Sequence, residues 1–203
     1  LMWGPSPDTL DEGCRLLEES SRIAREIGDR VTEANMLGAL GMYYNWKGEF
    51  SRAKENLSKE LAFHEEVGSI PGIVFDLFSL GMILGGSGDY SDAISTLQRC
   101  IQLARESGLV SSLCMALNTL GWICHDLSNI ELAIKYNSEA IEFAKAHQKS
   151  RASGAVPMSL FNLGMDYLSK NDYDNAEKYF RETISLYPQH RLAWYRMQCR
   201  LLL

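Results

Sequence analysis

The sequence predicts an all-α protein: an α-α superhelix, or solenoid, of about four full helix hairpins with partial repeats at both ends. Three observations lead to this fold class. A Leu-Gly pair recurs four times, each copy is followed by a polar turn and then an alanine, and a glycine boundary recurs between copies. A fixed period of this kind is typical of arrays in which each helical unit buries its apolar surface against its neighbours.

The Leu-Gly pair marks the first helix of each hairpin, which we name helix A. Its copies begin at Leu40, Leu80, Leu120 and Leu163, so they are 40, 40 and 43 residues apart. Glycine has no side chain, and we expect it where a second helix crosses closely. The pair therefore predicts the contact point of a helical hairpin.

The second helix of each hairpin, helix B, is predicted to follow a polar turn. The turns are Lys47-Gly48-Glu49-Phe50, Ser87-Gly88-Asp89-Tyr90, Leu127-Ser128-Asn129-Ile130 and Lys170-Asn171-Asp172-Tyr173, and each is followed by an alanine, at Ala53, Ala93, Ala133 and Ala176. We expect the Gly or Asn of each turn to adopt the left-handed conformation that ends helix A. The small alanines would keep helix B close to helix A.

A second periodic glycine boundary ends helix B. It occurs at Gly28, Gly68 and Gly108, again spaced by 40 residues, and predicts three glycine caps. Leu10, Gly13 and Leu17 lie one period before Phe50, Ala53 and Leu57, so the chain is expected to start with a helix B whose helix A is absent. The predicted organisation is a single solenoid over 1–203, with helix B of a partial repeat at 8–28, repeats at about 30–68, 70–108, 110–148 and 152–187, and a terminal helix at 190–203.

These motifs resemble the tetratricopeptide repeat family. The fourth repeat carries the resemblance best, through Leu163, Gly164, Tyr167, Asp172, Tyr173, Ala176, Phe180 and Pro188. A standard repeat has about 34 residues, whereas the first steps here have 40. The longer period is similar to the sensor arrays of bacterial signal-transduction ATPases and transcriptional activators, and also to long-period scaffolds that bind linear peptides. The resemblance implies protein or peptide binding, with no cofactor and no catalysis.

Composition excludes some partners and sites. Asp and Glu outnumber Lys and Arg by 26 to 20, which disfavours direct nucleic-acid binding because a phosphate backbone requires a basic surface. No apolar run is long enough for a membrane span. The five cysteines form no C-x-x-C pair, so we expect a reducing, cytoplasmic location, no disulfide framework and no metal site. The chain is expected to contact proteins rather than membranes.

The resemblance also implies which residues contact a ligand, because helices A line the concave surface of such a superhelix. Carried over position by position, the predicted groove is rich in Met and aromatic residues, which form an adaptable apolar surface. Its residues are Asn35, Met42, Asn45, Trp46, Phe75, Phe78, Met82, Met115, Asn118, Trp122, His125, Met158, Phe161 and Met165. The alternative is that some of them, Phe75 and Phe78 above all, pack between repeats.

Enzyme-like signals are weak. The segment from Gly81 to Gly88 contains four glycines, but the last of them is not followed by the Lys and Ser or Thr that complete a phosphate-binding loop. Cys124 and His125 are adjacent and would point about 100° apart on a helix, which is unsuitable for a nucleophile and its base. We expect His125 to be a polar groove residue or solvated, and His64 to interact with a helix dipole. The sequence therefore predicts no catalytic residues.

The sequence favours a protein-interaction scaffold, the regulatory or sensor part of a larger signalling protein. Two alternatives stay open. One is a small-molecule-sensing domain, in which the aromatic groove and Gly85-Gly86 receive an inducer. The other is a self-assembly module that associates through exposed ends such as Leu201-Leu202-Leu203.

Overall fold

The computed structural model describes residues 7–147, 155–186 and 202, and its regular structure there is helical, which confirms the all-α prediction. The helices are α1 (Pro7–Glu26), α2 (Arg30–Lys47), α3 (Phe50–Glu66), α4 (Ile70–Gly86), α5 (Tyr90–Glu106), α6 (Val110–Asp126), α7 (Ile130–Ala146), α8 (Ala155–Ser169) and α9 (Tyr173–Leu186). Helices A are α2, α4, α6 and α8, and helices B are α1, α3, α5, α7 and α9. The terminal helix predicted at 190–203 lies outside the described residues except for Leu202.

A residue in the left-handed conformation lies in each short turn between the described helices. Glycine occupies this position in the first five turns, as predicted, and Asn171 (φ 59°) occupies it between α8 and α9. The turn between α6 and α7 differs from the prediction. Ser128, with φ 60°, is the left-handed residue there, whereas Asn129 caps α7 by accepting a hydrogen bond from the Leu132 backbone N–H. Asn is a good N-cap, and this role takes it out of the turn position.

The Leu-Gly glycine lies at the closest approach of helix A and helix B, as the sequence indicates. In the first full hairpin, a Cβ atom added to Gly41 would lie 2.7 Å from Leu57 Cγ and 3.2 Å from the Ala53 carbonyl oxygen. Gly81 meets Leu97 at 2.6 Å in the same way, and Gly121 meets Asn137 at 2.7 Å. A larger side chain at these glycines would push the hairpin apart.

Contacts divide the chain into two compact units, with the boundary between Leu103 and Ala104 inside α5. The core of the first unit is built around Leu40, Tyr44 and Leu57, from α2 and α3, together with Cys14 of α1 and Ile83 of α4. In the second unit α6 packs on α7, and α8 on α9, where Phe180 is buried among Phe161, Met165, Tyr167, Leu168 and Ile184. Each unit therefore has its own apolar core.

Gly41→Ala is expected to lower the free energy of unfolding by about 1–3 kcal/mol, because the new methyl group overpacks the contact with Leu57. Gly86→Ala is the matched control, since a Cβ at Gly86 meets nothing within 4 Å. Urea denaturation measures both. Equal destabilisation by the two substitutions would contradict the assignment of Gly41 to the helix crossing.

Ser128→Gly is expected to raise the free energy of unfolding by about 1 kcal/mol, because glycine adopts a positive φ at no steric cost. The same substitution at the exposed Ser58, in the interior of α3, should lower stability by about 0.5 kcal/mol through lost helix propensity. Thermal denaturation of both variants tests this opposition of sign. A decrease at both positions would be inconsistent with a left-handed Ser128.

Candidate functional site

The first unit holds seven of the predicted groove residues, all on its helices A. Among them Asn35, Trp46 and Phe75 are exposed, the last with 55% of its surface accessible. Trp46 is 41% exposed and its ring contacts that of Tyr43 at a centroid distance of 5.3 Å. The remaining four, Met42, Asn45, Phe78 and Met82, are partly buried. Two aromatic side chains of helices A therefore present apolar surface to solvent.

The other seven predicted groove residues belong to the second unit and are less accessible. Met115, Trp122, His125, Met158, Phe161 and Met165 are partly buried. Phe161 and Met165 pack against the core around Phe180, and the rings of Phe161 and Phe180 are 5.8 Å apart. Some of the predicted groove residues of this unit therefore pack against its core instead of being fully available to a ligand.

Asn118, which is buried, and His125, which is partly buried, take part in one polar network. Asn118 is 4% exposed, and its amide donates to Asn137 Oδ1 at 3.2 Å and to Ser159 Oγ at 3.1 Å. Asp166 is fully buried, with His125 Nδ1 at 2.6 Å and with Asn137 Nδ2 donating to it at 3.1 Å. This network joins α6, α7 and α8, and both oxygens of Asp166 have partners in it.

A second buried cluster, which the sequence analysis missed, lies in the first unit. It consists of Glu60 and His64 on α3 and Asp76 on α4. His64 lies in the last turn of α3, where the sequence placed it at the helix end. Its Nδ1 also lies 2.6 Å from Asp76 Oδ2, so it has a buried carboxylate as a partner that the sequence did not indicate. One polar atom from each of the three side chains lies within 4.8 Å of the others. We refer to these three residues as the Glu60 cluster.

The Glu60 cluster is short of hydrogen bonds. Asp76 is 0% exposed and Glu60 is 6% exposed, yet Glu60 Oε2 and Asp76 Oδ1 are buried without a hydrogen-bond partner. Buried carboxylate oxygens are nearly always paired, since the cost of removing them from water is large. Two such orphans in one cluster mark it as an exceptional place among the described residues.

Burial governs the protonation of the Glu60 cluster. Desolvation, followed by the charge of the neighbouring Asp76, raises the pKa of Glu60 to about 8. Desolvation likewise raises the pKa of Asp76, although the hydrogen bond from His64 opposes this shift. At neutral pH the cluster is therefore expected to hold a proton on Glu60.

Other chemical signals do not form a site. The glycine-rich segment from Gly81 to Gly86 is helical, being the end of α4, so it forms no phosphate-binding loop. The four described cysteines are free and buried, and burial raises the pKa of Cys100 and Cys114. Buried thiols of high pKa are poor nucleophiles. Across the described ranges, no helix combines the length and apolarity that crossing a bilayer requires.

Two open pockets in the first unit lie apart from the predicted groove residues. Their volumes are about 300 and 270 Å³, and they are lined by α1, α2 and α3. Arg25, Leu37 and Lys59 border both. Arg25 is paired with Glu33 at 2.7 Å and Lys59 with Glu55 at 2.7 Å, so these cations are already neutralised by neighbours.

Comparison with protein families gives two matches, both to models described as tetratricopeptide repeat. One covers residues 74–146 and the other residues 157–190. Together they span just over half of the chain. A search of curated proteins found no match.

Solved structures with a similar fold include BtubC (BKLC) from P. vanneervenii, with a TM-score of 0.76 and 19% identity over 98% of this chain and 84% of that one. A Rap protein complexed with competence and sporulation factor has a TM-score of 0.81 at 16% identity, covering 96% of this chain and 54% of the Rap protein. The signal-transduction ATPase with a tetratricopeptide repeat sensor from Pyrococcus horikoshii has a TM-score of 0.66 at 18% identity, covering 95% and 28%. The chain thus corresponds to about half of the Rap protein and to a smaller part of the ATPase. Identities this low establish the fold alone.

Glu60→Gln is expected to change the pH dependence of stability. Folded Glu60 keeps its proton up to about pH 8, whereas its ordinary pKa is 4.5, so the native state binds more protons than the unfolded state between these values. The stability that Glu60 contributes is complete below about pH 4.5 and is lost as the pH rises towards 8. In EDTA-containing buffer, the stability of Glu60→Gln relative to wild type should therefore increase between pH 5 and 8.

The exposed Glu12 on α1 supplies the control for this measurement, because Glu12→Gln changes the same functional group outside the cluster. Its stability curve should run parallel to that of the wild type. Parallel curves for Glu60→Gln as well would show that Glu60 does not hold a proton at neutral pH.

Proposed function

Since the chain belongs to the tetratricopeptide repeat family, whose members are generally non-catalytic protein-interaction scaffolds, we propose that it binds a peptide or protein segment through its helices A. The observation that carries this proposal is the exposure of Trp46 and Phe75, two large aromatic side chains on α2 and α4. Exposed aromatic residues are enriched where proteins bind partners, because they bury much apolar area on contact. The bound segment would therefore present apolar side chains.

Polar groups beside these aromatics suit the backbone of such a segment. Asn35 is exposed and Asn45 partly exposed on α2, the helix that carries Trp46. An amide side chain offers both a donor and an acceptor, so it can pair with a peptide group in either direction. Contacts with the aromatic side chains would provide most of the affinity. Hydrogen bonds from the Asn35 and Asn45 amides would fix the position of the bound backbone along α2.

The finer proposal is that the chain is the sensor or regulatory part of a larger signalling protein. Two similar folds support it: a Rap protein that was solved in complex with a factor, and a signal-transduction ATPase that carries a repeat sensor. The 40-residue period supports it too, since it is similar to such sensor arrays. We further propose a cytoplasmic location, in keeping with the buried free thiols.

Phe75→Ala and Trp46→Ala test the proposed surface. Peptides are selected against the wild-type chain from a displayed random library, and the dissociation constants of selected peptides are measured by fluorescence anisotropy. Loss of a buried aromatic contact should weaken binding at least tenfold, which corresponds to about 1.4 kcal/mol. Far-ultraviolet circular dichroism should show unchanged helicity.

Two exposed residues on helices B provide matched controls: Leu16 of α1 for Phe75, and Tyr173 of α9 for Trp46. Leu16→Ala and Tyr173→Ala remove similar apolar area outside the proposed surface, so they should leave peptide affinity unchanged. If the controls weaken binding while the helix A variants do not, the ligand binds elsewhere. If no peptide is enriched from the library, the peptide-binding proposal fails.

A further inference from the structure

We propose that Glu60, His64 and Asp76 form a binding site for one divalent transition-metal ion, with Zn²⁺ as the best match, that ties α3 to α4. The inference rests on the convergence of three potential ligand atoms in one buried place. It does not depend on the proposed peptide binding, because these residues are outside the predicted groove.

The repeat shows that the two ligands on α3 replace small residues. The residue 40 positions before His64 is Ala24, and the residues 40 and 80 positions after it are Ala104 and Ala144. Each of these alanines has at most 2% of its surface exposed. One and two periods after Glu60 it has Cys100 and Ala140, exposed by 0% and 1%. Packing at these positions thus requires only a small side chain. Glu60 and His64 need another explanation than packing.

Neighbouring glycines provide the space that the larger side chains need. A Cβ atom at Gly38 of α2 would overlap the Glu60 carboxylate, and one at Gly72 of α4 would lie 2.5 Å from His64 Cγ. Neither glycine has a positive φ, so backbone conformation does not require them. The two glycines leave room for the side chains of Glu60 and His64. The residues around the cluster are therefore adapted to hold it at the junction of α3 and α4.

The orphaned oxygens show that the cluster lacks a partner that its counterpart has. In the second unit, His125 approaches Asp166 at the same 2.6 Å, but there the Asn137 amide satisfies the second oxygen of Asp166. In the Glu60 cluster a second carboxylate takes the place of the amide, and it leaves Glu60 Oε2 and Asp76 Oδ1 unpaired. The Asn137 amide satisfies the second oxygen of Asp166 in the second unit. In the Glu60 cluster, a cation would provide the missing partner for the two unpaired oxygens.

The ligand set fits a borderline-soft divalent ion. Zn²⁺ binds imidazole nitrogen and carboxylate oxygen at about 2.0–2.2 Å in tetrahedral geometry, which places two ligand atoms roughly 3.4 Å apart. One potential ligand atom from each of the three side chains lies within 4.8 Å of the others, so small rotations of these side chains would bring them to a common ion. The ion would displace the proton that Glu60 holds at neutral pH, and the two carboxylates would then neutralise its charge. Glu60 and His64 are four residues apart, so they lie on one face of α3.

Isothermal titration calorimetry on the EDTA-stripped 203-residue chain tests the site, with ZnCl₂ as the titrant. We expect one saturable site per chain. His64→Ala should weaken its affinity at least tenfold, and Glu60→Ala should do the same. Both substitutions install a residue that the other repeats tolerate at the same position, so the fold should persist, and circular dichroism checks this. Zn²⁺ should also raise the Tm of the wild type and not that of His64→Ala.

His125→Ala is the matched control, because it removes a histidine from the completed cluster of the second unit. It should retain wild-type Zn²⁺ affinity. The proposal is overturned if the wild-type chain shows no saturable site, if His64→Ala binds as tightly as the wild type, or if His125→Ala alone abolishes binding. Should His64→Ala fail to fold, Asp76→Asn takes its place, with the same expected loss and the same result overturning the site.

Discussion

Each hairpin of this chain depends on the contact between the glycine of the Leu-Gly pair in helix A and a side chain of helix B. Gly41 receives Leu57 and Gly81 receives Leu97, at distances where no further carbon atom fits. This contact sets how closely the two helices pack, and close packing buries Ala53 and Ala93 completely. The repeat period follows from it, because the same crossing must recur each time the chain completes a hairpin.

The same requirement for small residues explains why the Glu60 cluster is unusual. At the positions equivalent to Glu60 and His64, helices α1, α5 and α7 carry small residues: Ser20, Cys100 and Ala140 for Glu60, and Ala24, Ala104 and Ala144 for His64. Larger side chains fit there because glycine replaces the residues opposite them, at Gly38 and Gly72. Glu60 and His64 thus occupy positions where other repeats have small residues. Two carboxylate oxygens of the cluster still lack a hydrogen-bond partner. The proposed metal ion would offset that cost.

The fold could be predicted because it is encoded locally and repeatedly: Leu-Gly, turn and alanine recur in register, and each copy supports the others. One turn was mispredicted, at Ser128, because Asn129 serves as an N-cap and the sequence alone does not distinguish the two roles. The buried clusters were missed for a different reason. Glu60, His64 and Asp76 belong to two helices and meet only through the packing of α3 on α4, and the spacing of the cysteines gives no information about such a cluster. A comparison of equivalent repeat positions would have found them, since His64 stands where three other repeats have alanine.

The position of the Glu60 cluster links the core of the first unit to its proposed binding surface. Asp76 is completely buried, whereas the preceding residue on α4, Phe75, is 55% exposed. Neighbouring residues on a helix point about 100° apart, so α4 holds the cluster on one side and presents Phe75 on another. The rotation of α4 about its axis therefore determines both the approach of Asp76 to His64 and the direction of Phe75. A bond that fixes Asp76, whether through the His64 hydrogen bond or through an ion, also fixes the surface on which a partner would bind.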